Sequence, residues 1–134
     1  MTMTRQPGSD NVFASYRRAE MLLASRRPLD ALQALLPVLA SQPNDASVQL
    51  LAGRAYIDSA QLHRAEEAFS RVVDLDPSDH YARFALGKAL QRQGRLDEAQ
   101  AQLKIAAAMD PRPEYQEALG EVLARIATDR SGSP

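Results

Sequence analysis

The chain of 134 residues contains no cysteine and no tryptophan, and only 5% of it is aromatic. Without cysteine it can form no disulfide, no thiolate metal site and no cysteine nucleophile. Its formal net charge of −1 gives no overall electrostatic attraction to nucleic acid or to an anionic membrane. No run approaches the roughly 20 apolar residues that a transmembrane helix needs. These absences argue against a disulfide scaffold, a nucleic-acid binder and a membrane-inserted protein.

Sequence motifs for chemistry are also missing. There is no G-x-S-x-G elbow, no phosphate-binding glycine loop and no H-E-x-x-H zinc motif. The two histidines, His63 and His80, fall at the starts of different predicted helices and lack a paired ligand at metal spacing. We therefore predict that the protein is not an enzyme and binds no metal and no cofactor. The N-terminal residues lack the apolar run of a signal peptide, which predicts a cytoplasmic location.

What the sequence does contain is an internal repeat with a period of about 34 residues, a length typical of stacked helical hairpins. Proline, alanine, glycine and a large apolar residue each recur at this spacing, all in one register. The columns are Pro43, Pro77 and Pro111; Ala31, Ala65 and Ala99; Leu35, Phe69 and Leu103; and Gly53 and Gly87. In such a stack each unit buries its apolar face against the next. Solenoids of this kind usually present a surface to a partner.

The positions of apolar residues, capping residues and prolines predict three helix hairpins and a seventh helix. We expect an all-α, right-handed α-solenoid of antiparallel hairpins over residues 11–127, with repeats at about 12–45, 46–79 and 80–113. A capping helix at about 112–127 should cover the open end of the third repeat, with one polar face in water. The N-terminal segment 1–10 and the tail 128–134 are predicted to be disordered.

The repeat resembles the tetratricopeptide repeat, whose columns hold an aromatic residue, Leu-Gly, Tyr, Ala, Phe and Pro. The resemblance extends from about Val12 to Asp110. The second unit matches best, with Ala52-Gly53-x-x-Tyr56, Ala65-x-x-x-Phe69 and Pro77. The column that usually holds tryptophan contains Ser15, Gln49 and Arg83. The resemblance implies that glycine and alanine let paired helices approach closely, while the large apolar residues fill the space between units.

In tetratricopeptide repeats the first helix of each hairpin lines a concave groove, and the resemblance maps that groove onto this chain. The side chains so placed are Phe13, Tyr16, Glu20, Leu50, Arg54, Ile57, Tyr81, Phe84, Lys88 and Arg92. The resemblance thus implies an apolar and aromatic groove with a basic side formed by Arg54, Lys88 and Arg92. Aromatic and arginine side chains are frequent binding anchors, because they offer large contact areas or forked hydrogen bonds.

This surface has two interpretations. In the first, it binds an extended or helical segment of a partner protein and favours acidic and apolar residues. In the second, the aromatic residues pack between helices, and the basic residues form a solvated face whose charge is offset by Glu20 and Asp58. Some family members clamp the C-terminal carboxylate of chaperones with Lys, Asn and Arg, but none of the matching positions supplies such a donor. These positions hold Tyr16, Glu20, Leu51, Tyr81 and Ala85.

The predicted function is that of a protein–protein interaction module, acting as a scaffold or adaptor. Two alternatives stay open at this point: a self-associating structural subunit of a larger assembly, and an assembly or secretion chaperone. The partner is expected to be a protein or peptide, with no nucleic acid and no membrane insertion. A homo-oligomer is the expected result if the exposed apolar ends of the solenoid associate.

Overall fold

A computed structural model of the protein describes residues 9–132, with side chains described from Val12 onwards. In this part of the chain there are seven α-helices and no strand. They are α1 (Ser9–Ala24), α2 (Pro28–Ser41), α3 (Ala46–Asp58), α4 (Leu62–Leu75), α5 (His80–Arg92), α6 (Leu96–Met109) and α7 (Pro113–Ser131). Successive helices pack in pairs, and each pair packs on the next. The predicted all-α solenoid of antiparallel hairpins is confirmed.

The first helix begins earlier than we predicted. α1 starts at Ser9, so the prediction of a disordered segment is wrong for Ser9 and Asp10. Short polar residues suit the first turn of a helix, where backbone N–H groups have no intrahelical partner. The remainder of that predicted segment, residues 1–8, lies outside the described residues.

The last helix also extends further than we predicted. α7 continues to Ser131, so the prediction of a disordered tail is wrong for residues 128–131. The hydroxyls of Thr128 and Ser131 each donate a hydrogen bond of 2.9 Å to the carbonyl oxygen four residues earlier. Both hydroxyls therefore bond back to the helix backbone, and α7 continues through these polar residues. Residues 133 and 134 lie outside the described part of the chain.

The turn inside each hairpin has the same geometry, which recurs once per repeat. Arg26, Ala60 and Gly94 have left-handed backbone conformations, with φ of 59°, 61° and 77°. In each turn the following residue donates its N–H to the carbonyl five residues earlier, over 2.8, 2.8 and 3.0 Å. A left-handed residue followed by such a bond is a common way to end a helix. Only the third turn has the glycine that this conformation favours.

Two of the first helices begin at aspartate caps that occupy equivalent positions in successive repeats. The Asp45 side chain accepts a hydrogen bond from the Val48 N–H over 3.2 Å, and the Asp79 side chain accepts one from the Ala82 N–H over 2.9 Å. Each carboxylate satisfies a backbone donor that has no partner within the helix. The caps therefore fix where α3 and α5 begin, which sets the register of the side chains on their exposed faces.

The second and third hairpins are closed by a large side chain pressed against a glycine. A Cβ atom placed on Gly53 would lie 2.5 Å from the Phe69 ring, and one on Gly87 would lie 2.7 Å from Leu103 Cγ. Phe69 and Leu103 are only 1% and 0% exposed, so they have no room to retreat. Because interiors are close-packed, even one added methyl group would push the two helices apart.

A polar network joins the second unit to the third. The Glu66 carboxylate of α4 accepts hydrogen bonds from Gln93 Nε2, over 3.0 Å, and from Arg95 Nη1. Both donors lie in the turn between α5 and α6. Burial raises the pKa of Glu66, but the bonds from Gln93 and Arg95 outweigh this effect and hold the pKa below its ordinary value of 4.5. The charged carboxylate thus stabilises the boundary between two repeats.

We expect Gly53→Ala to lower the free energy of unfolding by about 1–3 kcal/mol, because the new methyl group overlaps the Phe69 ring. Gly120 of α7 serves as the matched control in dilute solution, since within one chain a Cβ atom there would meet nothing within 4 Å. Gly120→Ala should raise the free energy of unfolding by up to about 1 kcal/mol, because alanine favours a helix more than glycine does. Urea denaturation followed by circular dichroism measures both. Equal stability of Gly53→Ala and wild type would contradict the close-approach argument.

Glu66→Gln tests the network between the second and third units. Since the folded-state pKa of Glu66 lies below its unfolded value of 4.5, its contribution is complete above that pH and is lost as the pH falls through the folded pKa. We expect the variant to melt below wild type at neutral pH, and the difference in Tm to shrink at acid pH. Thermal melts over a pH series test this. A Tm difference that is independent of pH would show that the charge does not matter.

Candidate functional site

The first helices of the hairpins lie along one side of the solenoid. α1 contacts α3, and α5 contacts α7. The second helices α2, α4 and α6 each pack between the first helix of their own hairpin and the first helix of the next. The row α1, α3, α5 and α7 therefore presents one continuous surface, which we call the first-helix groove.

The predicted groove residues differ in how far they protrude. Phe13 and Tyr81 are the most exposed large apolar side chains among them, at 66% and 38%. Glu20, Arg54 and Arg92 are exposed. The half-buried ones are Tyr16, Leu50, Ile57, Phe84 and Lys88. The surface therefore combines an apolar base with protruding aromatic and charged side chains, which is a composition that suits peptide contact.

Arg54 occupies a central position between the first and third units. Burial raises the pKa of Tyr16 and of Tyr81, and the positive charge of Arg54 opposes both shifts. Its charge thus acts on tyrosines from α1 and from α5, although it belongs to α3. No hydrogen bond or ion pair of Arg54 is formed within the described part of the chain. The guanidinium is therefore available to an anionic group entering the groove.

The aromatic residues of the third unit divide between packing and exposure. The Phe84 ring stacks on Tyr115 of α7 with centroids 4.6 Å apart and planes at 25°. Tyr81 meets Phe84 at 6.2 Å but keeps much of its surface in water. Phe84 therefore packs between helices, as the second interpretation of the groove predicts. Tyr81 is the aromatic side chain of this unit that faces the groove.

Arg92 has a structural contact that the sequence did not indicate. Its Nη1 donates a hydrogen bond of 3.1 Å to the carbonyl oxygen of Ile57, in the last turn of α3. A cation at this position satisfies an acceptor at the negative end of the helix. Arg92 thus joins α3 to α5, which leaves Arg54 and Lys88 as the cations of the groove that form no such bond within the described residues.

A buried aromatic residue at the junction with α7 was not predicted from the sequence. Tyr115 is fully buried, and its hydroxyl lies 2.7 Å from His80 Nδ1. The other ring nitrogen of His80 lies 3.2 Å from the Asp110 carboxylate. His80 therefore joins α5 to α7 as part of the packing between these helices. Tyr115 stands 34 residues after Tyr81, which is exposed, so the spacing alone gave no signal that this tyrosine is buried.

The acidic end of the groove was also missed. Glu114 raises the pKa of Tyr81, although burial and Asp58 contribute more, so its charge acts on the groove. Glu121 accepts a hydrogen bond of 3.4 Å from Gln91 of α5. Glu117 lies between these two on the same face of α7, at helical spacings of three and four residues. The groove therefore changes from cationic at α3 and α5 to anionic at α7.

A shallow cleft of about 450 Å³ opens at the N-terminal end of the groove. Its walls include Phe13 and Tyr16 of α1 together with Asp45 and Ser47 at the start of α3. Within residues 9–132, no three histidine, aspartate or glutamate side chains come together as a metal site would require. None of the seven helices combines the length and the apolar character needed to cross a membrane.

Comparisons with known proteins agree with this architecture. A family model for the tetratricopeptide repeat matches residues 22–81 and 56–122. Anaphase-promoting complex subunit 3 of Dictyostelium discoideum is 28% identical over 79 residues, which is 58% of this chain. Those residues span only 8% of that relative's length.

Several solved structures share the fold at low sequence identity. The Sgt2 domain from Aspergillus fumigatus has a TM-score of 0.84 and is 16% identical, with 95% of this chain and 87% of that one covered. The first such domain of Spaghetti (RPAP3), bound to the HSP90 peptide SRMEEVD, has a TM-score of 0.83 and is 17% identical, with 89% and 95% covered. The Yersinia enterocolitica type III secretion translocator chaperone SycD has a TM-score of 0.77 and is 21% identical, with 97% and 90% covered.

The family match covers most of the chain, and the hairpin geometry repeats with the period that defines the family. The resemblance inferred from the proline, alanine and glycine columns is thereby confirmed. The chain belongs to the tetratricopeptide repeat family.

Proposed function

We propose that the protein is a peptide-binding module that takes a segment of a partner protein into the first-helix groove. The observation that carries the proposal is that four groove side chains keep charged or apolar surface uncovered by the rest of the described chain. Arg54 and Lys88 form no hydrogen bond or ion pair within the described residues, and Phe13 and Tyr81 keep large apolar surfaces in water. Such side chains contribute binding energy when a partner covers them.

The charge pattern of the groove suggests the chemistry of the partner segment. An acidic group placed over α3 and α5 would lie near Arg54 and Lys88, and an apolar residue beside it would cover Tyr81. The opposite end, at α7, carries Glu114, Glu117 and Glu121, so a basic residue fits there. We therefore propose a segment with acidic and apolar residues followed by a basic one, which extends the original expectation of an acidic and apolar partner.

The solved relatives supply a precedent for this use of the fold. The Spaghetti (RPAP3) domain is bound to an HSP90 peptide that ends in Glu-Glu-Val-Asp, and it has the same arrangement of helices. In the present chain the residues that would clamp such a C-terminal carboxylate include Tyr16, Glu20 and Tyr81, which carry no cationic donor. We accordingly propose an internal or differently anchored segment of a partner, with this protein acting as a scaffold or adaptor and not as an enzyme.

Charge reversal at Lys88 tests the cationic part of the groove. Peptides selected from a displayed library are labelled, and their Kd is measured by fluorescence anisotropy at two salt concentrations. We expect Lys88→Glu to raise the Kd at least about tenfold, or about 1.4 kcal/mol, because the reversed charge replaces attraction to an acidic group by repulsion. Lys104→Glu, the same change on the outer helix α6, should leave the Kd within about twofold. Equal weakening by both variants would indicate a general charge effect and no groove.

Tyr81→Ala tests the apolar part of the groove. Tyr81 and Leu75 are both 38% exposed, but Leu75 ends α4, one of the second helices. We expect Tyr81→Ala to weaken binding of the selected peptides by about tenfold or more, because it removes a large aromatic contact. Leu75→Ala should have no effect on the Kd. If the two variants bind alike, the working surface lies elsewhere on the solenoid.

A further inference from the structure

The last helix repeats the sequence of a first helix, but the described residues 9–132 contain no following second helix that would complete a fourth hairpin with it. The pattern Ala-Leu-Gly-x-x-Leu occurs at 85–90 in α5 and again at 118–123 in α7, one position short of a full repeat. Burial follows this register, because Ala118 and Val122 are 3% and 0% exposed, as Ala85 and Ala89 are 5% and 0% exposed. α7 therefore packs on α6 with one face. Its second face corresponds to the face of α5 that packs against α6.

That second face is uncovered within the described part of the chain. A Cβ atom on Gly87 would lie 2.7 Å from Leu103, whereas a Cβ atom on Gly120 would have no neighbour within 4 Å. Leu90 is 4% exposed, but its counterpart Leu123 is 41% exposed. The glycine that admits a large side chain and the leucine that packs beside it are both present, and both face water.

We propose that this face binds α7 of a second copy of the chain, with the two helices antiparallel. Gly120 and Leu123 lie one helical turn apart on the same face. A twofold axis passing between them places each Leu123 opposite the partner's Gly120, as Leu103 lies opposite Gly87 within one chain. The surface is thus complementary to itself, which a symmetric dimer requires.

The charge distribution along α7 favours the same pairing. Its N-terminal half, residues 113–121, contains Glu114, Glu117 and Glu121, a formal charge of −3. Its C-terminal half, residues 122–131, contains Arg125, Asp129 and Arg130, a formal charge of +1. Antiparallel packing sets the acidic half of one copy beside the basic half of the other, whereas parallel packing would set the acidic halves together. Glu114, Glu117 and Glu121 lie on the groove side of α7, outside the contact face, so this difference favours the antiparallel orientation over the parallel one but adds little to the affinity.

The dimer leaves the first-helix groove open. The proposed contact face follows residues 116, 120, 123 and 127, while the groove side of α7 follows 114, 117 and 121. Self-association therefore does not rest on peptide binding, and each of the two properties can fail alone. A dimer with two open grooves would bind two segments of a partner or of two partners.

Sedimentation equilibrium over a wide concentration range tests the proposal. We expect wild type to reach the mass of two chains, and Leu123→Ser and Gly120→Gln to keep the mass of one. Ile105→Ser on α6 is the control, since Ile105 is 39% exposed and this variant should dimerise as wild type does. Circular dichroism establishes that each variant is helical. A single-chain mass for wild type at every concentration, or dimers of both α7 variants, would overturn the proposal.

Cysteine cross-linking tests the antiparallel geometry independently of those variants, because the natural chain has no cysteine. Gln116→Cys and Ala127→Cys lie three helical turns apart, about 16 Å along the helix. In the antiparallel dimer, position 116 faces the partner's position 127, so a mixture of the two variants should oxidise to a disulfide-linked dimer while neither variant does so alone. Disulfides need Cα atoms within about 7 Å. Cross-linking of each variant with itself, or none in the mixture, would refute the arrangement.

Discussion

The close approach of paired helices at two glycines is the constraint on which the rest of the structure depends. Gly53 and Gly87 each accept one large side chain, Phe69 or Leu103, in a space where an added methyl group would overlap it. This contact sets the distance between the helices of a hairpin, and the left-handed turn after each first helix sets their angle. The turn recurs in all three repeats and the glycine contact in the second and third, so the hairpins stack regularly and their first helices form one surface.

The architecture could be predicted from the sequence because it depends on a few residue types at a fixed period. The proline column acts locally, through steric limits on the backbone, and the glycine column acts through a contact inside one hairpin, with a side chain sixteen positions later. The ends of the chain were harder to predict. Thr128 and Ser131 are polar residues near the end of the chain, so the sequence predicted a disordered tail there. Both residues are nevertheless helical, and their hydroxyls donate hydrogen bonds to carbonyl groups of α7.

The functional surface could be predicted only in outline. The period places a side chain on the groove face, but it does not say whether a neighbouring helix covers that side chain. Phe84 and Tyr81 are neighbours on one helix, and only Phe84 is stacked by Tyr115, which belongs to a helix across the unit boundary. The bond from Arg92 to the Ile57 carbonyl likewise joins residues 35 positions apart. Such contacts depend on the tertiary structure and were not visible in the spacing.

Two separate surfaces follow from one repeated geometry. The first helices leave Arg54, Lys88 and Tyr81 accessible, and the acidic residues of α7 give the groove two ends of opposite charge. The uncovered side of α7 is a different surface. It arises because α7 corresponds to the first helix of a fourth hairpin, and the described chain contains no second helix of that hairpin to cover it. A module of this kind would hold a partner segment in each groove while its copies associate through their last helices.

The measurement that tests the central claim most directly is an NMR titration of the labelled protein with a peptide selected for binding. If the first-helix groove is the working surface, the largest amide shifts will fall in α1, α3 and α5, and those near Arg54, Tyr81 and Lys88 will saturate together. Shifts confined to α2, α4 and α6 would place binding on the opposite side of the solenoid and contradict the account.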